Sequence, residues 1–131
     1  MGKMIRLGLA GLTAATLLAS APHAFAGTKG GGGGNITSGA CSAASTWKLT
    51  LSINNGRVQS EFEVESNVAN QTWRVRMSDN GVFFFKGQAT TGATGSFTVR
   101  KFTADQAGTD NILAQAKNPA TGETCQGSGS I

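Results

Sequence analysis

The sequence has no tyrosine, one histidine, two cysteines and two prolines among 131 residues, and only 14% of its residues are charged. The histidine, His23, lies in a stretch that reads as a secretory signal peptide. Lys3 and Arg6 precede an apolar run from Leu7 to Ala19, and Ala24-Phe25-Ala26 has the small-x-small pattern that signal peptidase cuts. Cleavage after Ala26 therefore predicts a secreted, extracellular chain without imidazole. A serine or cysteine nucleophile activated by histidine is then excluded. So is a zinc site built on histidine, and two cysteines alone do not close one. Carboxylate or lysine chemistry remains, or none, and neither a metal nor another cofactor is expected. Past the signal no apolar run is long enough to span a bilayer, so no membrane span is expected.

Net charge is also small. The 131 residues less the 26 of the signal leave 105, and the 11 basic residues less Lys3 and Arg6 leave nine against seven acids, a net charge of +2. That excess is too small and scattered to argue for a nucleic-acid partner. Cys41 and Cys125 are even in number and bound for an oxidising compartment, so a disulfide between them is expected. It would close most of the chain into one loop, for which chain entropy suggests roughly 4.5 kcal/mol before native strain is subtracted.

Residues 27–40 include five consecutive glycines, Gly30 to Gly34, and no apolar pattern beyond Ile36, so they read as a flexible leader. The Lys-Ser/Thr ending of a phosphate loop is absent. From Thr46 onward the apolar period is two. Trp47, Leu49, Leu51 and Ile53 alternate with polar residues, and Asn54-Asn55-Gly56 predicts a hairpin turn. Val58, Phe62 and Val64, then Trp73, Val75 and Met77, continue the alternation, and Asp79-Asn80-Gly81 predicts a second turn into Val82-Phe83-Phe84-Phe85-Lys86. Further strands are expected around Phe97 and Val99, over Asp110 to Lys117, and through Cys125 to Ile131. Seven strands with regularly spaced turns and no helical period predict an all-β, seven-stranded antiparallel sandwich with one disulfide.

The turn spacing, and the segment Ala107-Gly108-Thr109-Asp110-Asn111-Ile112-Leu113-Ala114-Gln115-Ala116 in particular, resembles bacterial immunoglobulin-like and fibronectin type III-like domains over residues 41–131. The whole chain also resembles small secreted actinobacterial proteins of unknown function. The cysteines depart from the antibody pattern, because they flank the strands and would staple the chain ends together. The resemblance implies a module for display or binding, a fold-level analogy.

Phe83-Phe84-Phe85 is the candidate binding feature. Consecutive strand residues take opposite faces, so at least one ring must leave the core. An apolar edge is either covered, here by the leader or by the loop from Gln88 to Thr94, or it is a contact surface. Glu61, Glu63 and Glu65 are expected to pair with Arg74 and Arg76 across a hairpin. Asp79, Asp105 and Asp110 could serve as acid and base in a glycoside hydrolase, although aspartate at a turn start is the ordinary explanation. Trp47 and Trp73 have the phase of core residues. Asn35-Ile36-Thr37 and Asn70-Gln71-Thr72 read as chance matches to the glycosylation pattern.

The expectation is thus a non-enzymatic binding or display module that recognises a protein or cell-envelope component. An extracellular carbohydrate-binding protein or weak hydrolase is the alternative from another class, and a self-associating structural surface protein is the third.

Overall fold

The computed structural model describes residues 34–131; the segment read as a signal peptide and the part of the expected leader as far as residue 33 lie outside the described residues. Among the described residues eight strands form: β1 (Asn35–Ala40), β2 (Thr46–Asn54), β3 (Arg57–Glu65), β4 (Thr72–Asp79), β5 (Val82–Thr90), β6 (Ser96–Ala104), β7 (Asn111–Lys117) and β8 (Thr124–Ser130). They make two four-stranded antiparallel sheets, in the orders β1-β2-β3-β6 and β5-β4-β7-β8. Both predicted asparagine-glycine turns close two-residue hairpins. Asn55 and Gly56 have φ of 51° and 71°, and Asn80 and Gly81 have 47° and 84°, the left-handed pair that such a loop requires.

The expected count of seven strands is corrected to eight. The additional strand, β1, comes from the segment read as leader. Its one large apolar residue, Ile36, is exposed, so its own hydrophobicity does not order it. Pairing along β2, from Asn35 opposite Leu51 to Ala40 opposite Thr46, does so instead. Two side chains also reach the other sheet: Asn35 Nδ2 donates to Ser130 O and Thr37 Oγ1 to Ser128 O.

The sheets pack on a common core. Leu49, Phe62 and Val64 from one layer and Trp73, Met77 and Ile112 from the other are fully or almost fully buried, and the Trp73 and Phe97 rings meet at 6.1 Å between centroids. Burying such side chains, at roughly 1.5–3 kcal/mol each, is the main drive to fold. Trp47 lies where β1, β2 and β8 converge. A Cβ placed on Gly127 would come within 2.5 Å of its ring, and one on Gly39 within 3.0 Å, so these glycines make room for the indole. The Cys41–Cys125 disulfide forms as expected and ties the end of β1 to β8. Glu123 locks the same corner, accepting from Ala43 N, Ser45 N and Ser45 Oγ.

Candidate functional site

The two outer sheet faces carry different charge patterns, and strand order is the reason. β3 does not pair with β4, as the hairpin reading expected; it pairs with β2 and β6, while β4 belongs to the other sheet. The acidic row on β3 therefore meets Lys48 and Arg100 rather than Arg74 and Arg76. Glu63 pairs with Lys48 at 3.8 Å, and Glu61 pairs with Arg100. Arg57 stacks on Phe102 at 4.6 Å from its ring centroid. On the outer face of this sheet, three cations thus stand among three carboxylates.

The second sheet has no such balance. Lys86 of β5, Arg74 and Arg76 of β4, and Lys117 of β7 share its outer face, where two neighbour pairs of like charge stand directly opposite each other: Arg76 with Lys86 and Arg74 with Lys117. No carboxylate makes an ion pair with any of the four among the described residues. Like charges directly opposite on adjacent strands destabilise a sheet, so this face works against folding stability.

Three amides continue the face. Arg76 Nε donates to Gln115 Oε1 at 2.7 Å, and Gln115 Nε2 donates to Gln126 Oε1 at 2.9 Å, a chain of side chains crossing β4, β7 and β8. Gln88 stands opposite Arg74 on the next row. Together these residues line an open concavity of about 780 Å³. Its chemistry is that of an anion receptor: cations for charge, including the guanidinium forks of Arg74 and Arg76, and amides able both to donate and to accept.

The three phenylalanines do not alternate as a regular strand would place them. Met77 lies opposite Phe85 and Ser78 opposite Phe83, so Phe84 is the extra residue of a β-bulge. The bulge lets both Phe84 and Phe85 pack against the core. Phe85 lies across Gly87, where a Cβ would meet its ring at 2.7 Å, and Lys101 Nζ sits 4.4 Å from its centroid. Only Phe83 turns outward, 45% exposed beside Val82. Its ring is flanked by Lys86 at 4.6 Å and Arg76 at 5.5 Å, which makes it the aromatic margin of the cationic face.

Asp79 and Asp110 come together as well, but in the interior. Asp79 continues the inward stripe of Trp73, Val75 and Met77, and Asp110 that of Ile112, Ala114 and Ala116; both are almost completely buried. Burial, then the neighbouring Asp110 carboxyl, pushes the Asp79 carboxyl up to about 6. Asp110 is also raised, first by burial and then by its hydrogen bond with Asp105. Among the described residues no cluster of three or more histidine, cysteine or acidic side chains is arranged to hold a metal ion.

Sequence reasoning missed both arrangements. Cation segregation depends on strand order, which local alternation does not encode. The signal for the buried acids was present, since each aspartate lies two residues from the end of an inward apolar stripe. No protein family matches the chain, and no curated protein or solved structure is similar to it.

Proposed function

We propose that this chain is a secreted, non-enzymatic, immunoglobulin-like binding module that captures an acidic polysaccharide of the cell envelope on the outer face of its second sheet. One observation carries the reading: four cations, in two directly opposed like-charge pairs, stand on one face without a carboxylate partner among the described residues. Such a face loses stability alone and regains it when an anion neutralises it. The neighbouring Gln88, Gln115 and Gln126 suit a polymer that presents hydroxyl groups between its charges.

Greek-key crossings support the fold-level part of the reading, because the chain changes layer between β3 and β4, β5 and β6, and β6 and β7. The disulfide is compatible with an extracellular location. The hydrolase alternative gains little, because the Asp79 and Asp110 carboxyls are shut away from solvent where no substrate bond could reach them.

The test is calorimetric titration with polygalacturonate, inorganic polyphosphate and neutral dextran at several salt concentrations. Polygalacturonate binding is expected, with a log–log salt slope on the order of −3 if each of the four cations releases counterions as a phosphate contact does. The Arg74→Ser/Arg76→Ser/Lys86→Ser/Lys117→Ser variant should lose that binding yet unfold no more easily than the parent. Equal affinity for dextran, undiminished binding by the variant, or a preference for polyphosphate would overturn the assignment. Self-association through Val82 and Phe83 would appear as concentration-dependent sedimentation that survives in the variant.

A further inference from the structure

The buried acids need a separate explanation, because the cationic face makes no use of them. Asp79 stands opposite Ile112 in the β4–β7 ladder, so Asp110, two residues before Ile112, is its diagonal neighbour on the inner face. Among the described residues, neither Asp79 oxygen nor Asp110 Oδ2 has a hydrogen-bond partner outside the acid cluster, and all three atoms are removed from solvent. Asp110 Oδ1 accepts from Gln106 N at 3.3 Å within the loop that also holds Asp105.

Among the described residues no positive group compensates them. The charged neighbours acting on Asp79 are Asp110 and Asp105, and those on Asp110 are Asp105 and Asp79. The cations of adjoining elements are engaged elsewhere: Arg57 of β3 on Phe102, Lys101 of β6 on Phe85, and Lys86 of β5 on Phe83. Two buried carboxylates without a counter-ion are prohibitively costly, so the closed structure must retain a proton between them.

The main-chain bonds here show what that proton secures. Asp110 N donates to Ile131 O at 2.9 Å and Ile131 N donates to Asp110 O at 3.0 Å, which fastens the residue after β8 to the start of β7. Asn80 in the β4–β5 turn accepts from Asn111 N and donates to Thr109 O. We propose that Asp79 and Asp110 form a proton-held latch: while they share a proton, the 105–110 loop and the Ile131 end stay seated against β4, and loss of that proton to solvent releases this end of the fold.

Amide hydrogen exchange on the oxidised full-length chain, corrected for intrinsic rates at each pH, tests the latch. With Asp79 titrating near 6 when closed and as an ordinary carboxyl when open, the opening constant of the Asp110 and Ile131 amides should rise about 25-fold between pH 4.5 and 7.5. Leu49 and Phe62 amides should change far less. Asp79→Asn should abolish the difference, and Asp110→Asn, which keeps an oxygen for Gln106 N, provides a second variant should the first fail to fold. Unchanged protection in the parent, or an equal rise in a folded variant, would overturn the latch. So would full restoration of protection at pH 7.5 by millimolar calcium, which would reassign the pair to a cation.

Discussion

Replacing Gly127 with alanine tests how tightly the two sheets are fitted around Trp47. The added methyl carbon would lie 2.5 Å from Trp47 Cε3 and 2.6 Å from Cζ3. Ring movement is limited, because the opposite edge of the indole already faces Gly39 at 3.0–3.1 Å from a Cβ position there. Overpacking of this kind costs about 1–3 kcal/mol. Alanine recovers about 0.5–1 kcal/mol of backbone entropy relative to glycine in a strand, so a net loss of about 1.5 kcal/mol is expected. For a domain of this size that lowers the melting temperature by roughly 6–12 °C. Urea unfolding followed by tryptophan fluorescence measures it, and Trp73 preserves a signal when Trp47 is replaced. In a Trp47→Leu background the same alanine should become neutral or mildly stabilising, a coupling of about 2 kcal/mol between the sites. A neutral Gly127→Ala change in the parent would show that the indole is not wedged, and the account of how β1, β2 and β8 meet would fail.

Two further outcomes follow from the chain ends and the buried acids. Cys41→Ser/Cys125→Ser should lose about 4 kcal/mol in urea, somewhat less than the entropy of an 84-residue loop suggests; a loss below about 1 kcal/mol would mean that β1 and the Glu123 corner hold the ends unaided. Because burial raises the Asp79 pKa to about 6, the folded state binds more protons than the unfolded one between the two pKa values. That contribution is full below about pH 4 and is lost as pH climbs through 6, so the unfolding free energy should fall by about 2 kcal/mol from pH 4.5 to 7.5 through Asp79, with the raised Asp110 acting in the same direction. Stability rising across that interval in the parent but not in Asp79→Asn would refute the sign.

Local chemistry made much of this fold legible. Asn55-Gly56 and Asn80-Gly81 specify their hairpins because few other pairs tolerate two successive left-handed residues. The alternation of Trp73, Val75 and Met77 marks their buried face, and the two cysteines find each other. What escaped depended on partners distant in sequence. β1 exists because β2 offers it an edge, the bulge at Phe84 is fixed by its register with β4, and the separation of Glu61 from Arg74 depends on which layer β4 joins. The candidate site has the same history. Arg74, Arg76, Lys86 and Lys117 are ordinary outward residues in the sequence, and only sheet order gathers them without a carboxylate.

The disulfide also determines how the protein would carry a pulling force. β1 and β8 lie side by side at opposite ends of the sequence, and Cys41–Cys125 bridges them across 84 positions. Tension applied between residue 34 and Ile131 would run along β1, through the sulfur bridge and out along β8. The segment between the cysteines, about 290 Å of extended contour at 3.3–3.6 Å per residue, would be bypassed. Stretched between two attachments, the molecule could lengthen only by peeling β1 from β2 and β8 from β7, and the strands between the cysteines would stay behind the bridge.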